Sequence, residues 1–401
     1  MHPARAYAWL TFLTGTAIAF TVTSYVPYLQ SLGLSLADVA LVNAFFWAMI
    51  VVAELPTGMF ADGKSRAWSI RAGLVIQAMG AAIYALAQGF WSALAGELAI
   101  GIGMAFLSGA QQAWIAEALT KRNDLEQLGR AYGTAAATRA LGMIMGGVLG
   151  AFVGSVHYRL PWIVASIFFV GSFWFALRTF NNDGDPIHRV TEFEAFRRSI
   201  VALGRSRALV WAVLAAATFG LVLPFNHYWA PFWKTRVGQA GLAAIWTPMY
   251  VSLAVAGMVI RRHNVRPGRE AGGIAIALAI TGLGLALIGL PHGTIPAMGF
   301  VLIHELGRGL FDPLLDAFTQ HRIESEYRAT FGSLQSLLGK LGYAAVLVGV
   351  WFGTRGLPST NATITRVWEV SGALLIFAAI VLWIFRPRTK PNDIPLPPGE
   401  G

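Results

Sequence analysis

Glu54-Leu55-Pro56-Thr57-Gly58-Met59-Phe60-Ala61-Asp62-Gly63-Lys64-Ser65-Arg66 is the stretch on which the fold turns. An apolar run of about twenty residues leads into Glu54, and a second begins at Trp68. Between them stand a glycine, an acid and two bases. A tight charged connection between two membrane-length helices belongs at the face of a bilayer, and its bases place it on the cytoplasmic side.

The composition agrees. Of 401 residues, 56% are hydrophobic and 12% charged, whereas a soluble domain carries roughly 25% charged residues to cover its surface. The chain therefore reads as an integral membrane protein whose first partner is the lipid bilayer. The net charge of +10 sits in short blocks between apolar runs, which is a topology signal rather than a nucleic-acid surface. There are no cysteines, so neither a disulfide nor a thiolate metal site is available. The apolar run 7–29 is too long for a cleaved signal peptide and is read as the first helix.

Outward from the opening turn, twelve candidate spans follow: 7–29, 37–59, 68–87, 91–119, 129–153 and 160–177, then 208–233, 242–260, 272–290, 295–321, 330–353 and 366–385. Each is close to the ~20 residues that cross ~30 Å of hydrocarbon as a helix. The alternating pattern of a transmembrane barrel is absent, so the fold class is all-α. Twenty-two of the 30 Lys and Arg residues fall in, or within about a turn of, the N-terminus, the even-to-odd connections and the C-terminal tail; five fall likewise on the opposite side, and three, Arg139, Arg308 and Lys340, lie deeper inside spans. That bias puts both termini in the cytoplasm of a bacterial-type inner membrane. The domain reading is a six-helix bundle over 1–178, a cytoplasmic linker over 179–207, a second bundle over 208–386 and a disordered proline-rich tail over 387–401. Within the linker, 192–203 has the composition of a short helix lying on the membrane surface.

The halves look like copies. Tyr25-Val26-Pro27-Tyr28 matches Trp229-Ala230-Pro231-Phe232, Glu97-Leu98-Ala99-Ile100-Gly101 matches Glu305-Leu306-Gly307-Arg308-Gly309, and Arg139-Ala140-Leu141-Gly142 matches Gly339-Lys340-Leu341-Gly342. The offsets are 204, 208 and 200, close to half the chain and in corresponding helices. Parallel six-helix repeats are the architecture of a rocking transporter with its substrate site between the halves.

With these features the chain resembles the major facilitator superfamily over essentially its whole length, on the drug and metabolite efflux side of that family. The loop between helices 2 and 3 is similar to the family's motif A: Gly58, Asp62 and Arg66 match, while Gly63, Ser65 and Ala67 depart from it. The resemblance implies two pseudo-symmetric bundles of six helices, alternating access, a small-molecule substrate and no enzymatic activity. It also implies a cytoplasmic gate in which Asp62, oriented by Arg66, meets the start of helix 11 near 330–333, where the helix dipole favours a carboxylate. Gly142-Met143-Ile144-Met145-Gly146-Gly147-Val148-Leu149-Gly150 resembles the glycine-rich motif C of the family's antiporters, without its proline. Small residues at this spacing equally serve helix packing.

Charges inside spans cost about 2.5–3.5 kcal/mol each even on insertion scales, so they face the interior and pair. Glu97 lies about 9 Å into helix 4 from outside and Arg139 about 15 Å into helix 5 from inside, leaving an axial gap an arginine can bridge. The expected pairs are Glu97–Arg139 and, in the second half, Glu305–Lys340, with Arg308 and Asp312 as a local pair four residues apart. The family's motif B has an arginine near the position of Glu97, so proton coupling, if present, belongs to the carboxylates here. Static salt bridges are the alternative. Tyr25, Tyr28, Asn43, Gln111, Gln112, Asn226, Tyr228 and Trp229 are the substrate-cavity candidates; aromatics and amides suit an amphipathic organic solute. No Walker loop, metal-binding His pair or nucleophile elbow is visible, so no cofactor or metal is expected. The resulting reading is a monomeric, proton-coupled secondary exporter of small organic molecules. The alternatives are metabolite uptake or facilitated diffusion, or a transporter-like sensor or scaffold without flux.

Overall fold

The computed structural model describes residues 1–63, 65–180, 200–201, 203–204, 206–263, 268–290, 293–322 and 328–387, with the backbone alone at 55, 59–63, 261–263 and 328–330. The Asp62 side chain, most of the linker and the tail from 388 lie outside the described residues. The described elements are helical: α1 Pro3–Val22, α2 Tyr25–Ser31, α3 Leu36–Gly63, α4 Arg66–Ala85, α5 Phe90–Leu107, α6 Ala110–Thr120, α7 Leu128–Val156, α8 Leu160–Thr179, α9 Arg207–Thr218, α10 Leu223–His263, α11 Glu270–Ile288, α12 Thr294–Gln320, α13 Arg328–Thr354 and α14 Asn361–Ile384. Short 3-10 turns precede α7 and α10.

Among the described residues, eight helical stretches are long and apolar enough to cross a bilayer, or nine if the bent pair α1 and α2 is one span. One of them covers Arg207–Ile260, 54 residues. At 1.5 Å per residue it would reach about 80 Å, far beyond one hydrocarbon core. It breaks at Gly238, whose left-handed φ of 71° turns the chain between two spans. Helices α4 and α12 are long enough as well, at 20 and 27 residues, but α12 carries Glu305, Arg308, Asp312 and Asp316. The elements are consistent with the twelve expected spans.

Lipid offers no hydrogen bonds, so helix ends are closed by the chain itself. Ser65 Oγ accepts from Trp68 N at 3.1 Å, Ser206 from Leu209 N and Thr360 from Thr363 N. Ser65, which stands where the family motif has glycine, is thus the N-cap of α4. The opening stretch is less of a turn than its composition implies: α3 continues through Pro56 to Gly63, and Thr57 Oγ1 bonds back to Ala53 O at 2.8 Å.

The chain forms two compact units. One comprises Met1–Arg189 with Tyr228–Thr247, the other Val190–His227 with Pro248–Gly401. In the first, α1 packs along α7, α4 on α5 and α4 on α8; in the second, α9 packs along α13, α11 on α12 and α11 on α14. These are the same pairings at corresponding places in the two halves of the sequence, which is the repeat seen in three dimensions.

The α1–α7 seam explains the glycine-rich run. A methyl group at Gly142 would stand 2.5 Å from Phe12 O, at Gly146 2.4 Å from Thr16 O, and at Gly150 2.2 Å from Phe20 O. Gly154 continues the row against Ser24. Glycine every fourth residue puts one bare stripe of α7 on the α1 backbone.

Candidate functional site

In the first unit the polar interior is built around Glu97. The α4–α5 hairpin runs antiparallel; the Tyr84 ring, near the end of α4, packs on Gly96 deeper in α5, and its hydroxyl donates to Glu97 Oε2. Tyr25 OH lies 3.5 Å from Tyr84 OH and accepts from Asn43 Nδ2 at 2.6 Å. Since Tyr84 donates to the carboxylate, its oxygen accepts from Tyr25, and donors run in one direction from Asn43 to Glu97. Tyr28 OH donates to Tyr84 O at 2.6 Å, and Trp162 stacks on the Tyr84 ring at 4.0 Å. Helices α2, α3, α4, α5 and α8 each contribute one wall of this buried cluster.

Two helix breaks flank it. Pro27 has no N–H, so the Thr23 carbonyl loses its usual partner four residues on, and the chain bends by 42° between α1 and α2. Gln239 Nε2 fills that vacancy, donating to Thr23 O and Ser24 Oγ, each at 3.1 Å. The second break separates α5 from α6 at Ser108-Gly109, where Gly109 has φ 68°. Ser108 Oγ donates to Glu54 Oε1 at 3.4 Å, and Gln111 and Gln112 open the helix that follows. Interrupted helices that free backbone groups are where membrane proteins place polar sites.

The residues 228–247 complete this unit. Tyr228 OH donates to Leu36 O at 2.7 Å, Trp246 Nε1 donates to Met143 O at 2.9 Å beside Gly147, and Trp229 stacks on Trp246. A cavity of about 470 Å³ opens beside them, lined by Tyr28, Ser31, His157, Arg159 and Gln239 among others.

In the second unit Glu305 is buried on α12 and held by Arg308, whose Nη1 is 3.2 Å from both carboxylate oxygens. His304 Nδ1 is 3.0 Å from Thr281 O, and its ring lies against Phe225, which also contacts Trp368.

The turns at the ends of α4 and α11 carry related ion pairs of opposite sense. Arg66 Nε lies 3.7 Å from Glu117 Oε1 on α6. At the equivalent end of α11, Glu270 is fully buried, with His321 Nδ1 at 2.7 Å, Arg322 Nη1 at 3.7 Å and the Gly268 N–H at 2.7 Å. Where the first half places the base before the helix and the acid across from it, the second half reverses them. Burial lowers the Arg322 guanidinium from its ordinary range and Glu270 opposes that shift.

Several expected pairings are corrected. Glu97 takes its hydrogen bond from Tyr84, and no ion pair joins it to Arg139 among the described residues. The depths matched but the faces did not: α5 packs on α3 and α4, while the Arg139 stem and backbone lie against Gly15 of α1. Glu305 takes Arg308, three residues along its own helix, where the sequence pairing gave it Lys340. Arg308 gives its hydrogen bonds to Glu305, and it interacts electrostatically with Asp312 as well. Of the cavity candidates, Tyr25, Tyr28 and Asn43 join the Glu97 cluster, Gln112 O accepts from Tyr132 OH at 3.4 Å, and Tyr228 and Trp229 are packed in the first unit. Asn226 belongs to the second unit, half-buried. Gly58 is half-buried near the end of α3. Tyr84, Trp162, Gln239 and Glu270 were missed. Symmetry about the α4–α5 turn does not lead to Tyr84, whose long ring reaches a turn further along α5, but the proline four residues after Thr23 signals that a donor such as Gln239 is needed.

Repeated helical units, interrupted spans and carboxylates buried in apolar surroundings are the build of a membrane transporter. Residues 7–347 match the family description Major Facilitator Superfamily, and the chain belongs to that family. It is a multi-pass membrane protein with the family's transporter fold. No curated protein matches the sequence. Among solved structures, a mutant form of the nucleoside transporter NupG superimposes with a TM-score of 0.80 at 13% identity, covering 96% of this chain and 100% of that one. A POT family transporter in complex with 5-aminolevulinic acid gives 0.76 at 12%, covering 96% of each chain. A bacterial homolog to the human lysosomal transporter Spinster, in an inward-facing and unoccupied conformation, gives 0.73 at 16%, again covering 96% of each.

Proposed function

We propose that the chain is a secondary active transporter that exports small amphipathic organic molecules in exchange for protons, acting as a monomer by alternating access. Glu97 carries the coupling proton. The observation that supports this is a buried carboxyl whose hydrogen bonds come from tyrosines and which has no base beside it among the described residues. A carboxyl at membrane depth is neutralised either by a counter-ion or by a proton, and here no counter-ion is at hand. Its neighbours Tyr84, Tyr25 and Asn43 form the donor chain along which occupancy by a proton is sensed. Glu305, tied to Arg308, is the structural counterpart and does not cycle.

In the first unit, substrate contact falls to Gln111 and Gln112 after Gly109, with Tyr25, Tyr28, Asn43, Tyr228 and Trp229 as further candidates; in the second unit the candidate is Asn226. The motif A-like residues Gly58, Asp62 and Arg66 form the cytoplasmic gate, both termini lie in the cytoplasm, and the membrane is a bacterial inner membrane. The export direction rests on the motif C resemblance of Gly142–Gly150. The fold likeness to nucleoside and peptide transporters keeps uptake of a metabolite as the second reading.

Proteoliposomes with an imposed pH gradient test the proposal. Intact protein is expected to accumulate a panel substrate only with the gradient polarity of export, and Glu305→Gln is expected to keep that dependence. Accumulation that ignores the gradient removes proton coupling; accumulation with the reversed polarity makes the protein an importer; no flux across a broad panel favours a sensor.

A further inference from the structure

A groove of about 380 Å³ lies between α1 and α7, away from the Glu97 cluster. Ala4, Ala8, Trp9 and Phe12 form its α1 wall, and Ala131, Thr134, Thr138 and Leu141 its α7 wall. Its lining is almost wholly apolar at depth. At its mouth stand Arg5, Arg130 and Gln127.

Three observations fix what the groove faces. It sits beside the seam, on the side of α7 whose exposed residues are Leu141, Met145, Leu149, Phe152 and Val156, recurring every three or four positions. That is an apolar stripe presented to hydrocarbon rather than to water. Trp9 is 53% exposed and Leu141 61%, so the groove is open to the same side. Finally, its length fits one leaflet. From Ala4 to Phe12 is about 12 Å along α1, and from Arg130 to Leu141 about 17 Å along α7, against roughly 15 Å for half a hydrocarbon core.

The mouth supplies the charge. Arg5 and Arg130 are exposed and near the starts of two helices that run in parallel, so both guanidiniums lie at the same membrane face. Neither makes a side-chain hydrogen bond or ion pair among the described residues. Of the acids in the preceding turn, Asp124 is 3.8 Å from His2, and Glu126 is exposed among Lys121, Arg122 and Arg130. A planar fork of donors at headgroup depth above an apolar slot is complementary to a phosphodiester with an acyl chain below it.

We infer that this groove binds one anionic phospholipid, its phosphate held by Arg5 and Arg130 and an acyl chain laid along Trp9, Phe12 and Leu141. The site is independent of the transport reading above, since it lies outside the groups proposed to handle proton and substrate. The lipid would brace the cytoplasmic-side ends of α1 and α7, the two helices joined by the glycine seam.

Native mass spectrometry of the delipidated full chain, titrated with dioleoyl phosphatidylglycerol and dioleoyl phosphatidylcholine, tests the site. The expected result is one phosphatidylglycerol bound in preference to phosphatidylcholine. Each of Arg5→Gln and Arg130→Gln should weaken phosphatidylglycerol about fivefold, and the double variant roughly thirtyfold, with phosphatidylcholine little changed. Arg5→Lys with Arg130→Lys, which keeps the charge and loses the fork, should retain part of the preference, and that separates lost charge from a misfolded protein. Thr134→Trp, which fills the slot and leaves both arginines, should weaken both lipids. Arg355→Gln, at a helix end of the other unit, should change neither. Undiminished phosphatidylglycerol binding in the double variant would overturn the site. So would an equal loss with Arg355→Gln, or an unaffected Thr134→Trp, because either outcome reduces the effect to general surface charge.

Discussion

Gly150→Ala adds one methyl group to the α1–α7 seam, at its tightest point against the α1 backbone. The new Cβ would sit 2.2 Å from Phe20 O and 2.8 Å from Phe20 Cα, where ordinary contact begins at 3.4 Å. The obstacle is main chain, which cannot rotate away as a side chain would, so the helices must part locally by about 1.2 Å. Parting also loosens the contacts of Gly142 and Gly146, which touch the same helix one and two turns away. Overpacking of this kind costs about 1–3 kcal/mol. Gly133, on the same helix with nothing within 4 Å of its would-be Cβ, is the internal control. Alanine there should stabilise by about 0.5–1 kcal/mol through helix propensity alone. Equilibrium unfolding in mixed detergent micelles, followed by tryptophan fluorescence, measures both. If Gly150→Ala and Gly133→Ala shifted stability in the same direction and by similar amounts, the seam would not be what joins these helices.

Further outcomes follow from the ion pairs and the first helix break. Glu270→Gln leaves the buried Arg322 facing a neutral amide and should cost about 3–5 kcal/mol, read as a fall in thermal-unfolding midpoint and yield. His321→Ala, at a side chain 41% exposed, should cost under about 1 kcal/mol in the same assay. A double-mutant cycle on Arg66 and Glu117, whose side chains are 12% and 29% exposed, should give a coupling of only about 0.2–1 kcal/mol. Gln239→Leu strands the Thr23 carbonyl and should destabilise by about 1–3 kcal/mol. In a Pro27→Ala background, where the backbone regains a donor for Thr23, the same change should cost measurably less; equal costs in both backgrounds would contradict the role assigned to Gln239.

What could be read from the sequence were the features set by one-dimensional spacing. Apolar run lengths define helices, the Lys and Arg blocks mark connections, and short matches offset by about half the chain foreshadow the recurring helix pairings. The breaks at Gly109 and Gly238 were harder, since a single glycine in an apolar run is common and only its backbone angle makes it a turn. Partner assignments between helices failed for a physical reason. Depth along the membrane constrains one coordinate, but a helix face is set by rotation about its axis, and Glu97 and Arg139 share the first without the second. Local pairs also compete: Arg308 is only three residues from Glu305, so it reaches the carboxylate without the ordering of another helix that a Lys340 contact requires. Glu270 has no counterpart of its own charge in the first half, because the repeat keeps the pairing and exchanges the signs.

The central claim is that the Glu97 carboxyl, buried among tyrosines, is the group through which a proton gradient drives transport. The most direct measurement compares intact protein with Glu97→Gln in proteoliposomes, following both accumulation under an imposed pH gradient and substrate counterflow without one. Glutamine keeps the shape and accepts from Tyr84 but cannot release a proton, so gradient-driven accumulation should disappear while counterflow persists. Accumulation by Glu97→Gln at the rate and pH dependence of the intact protein would contradict the account.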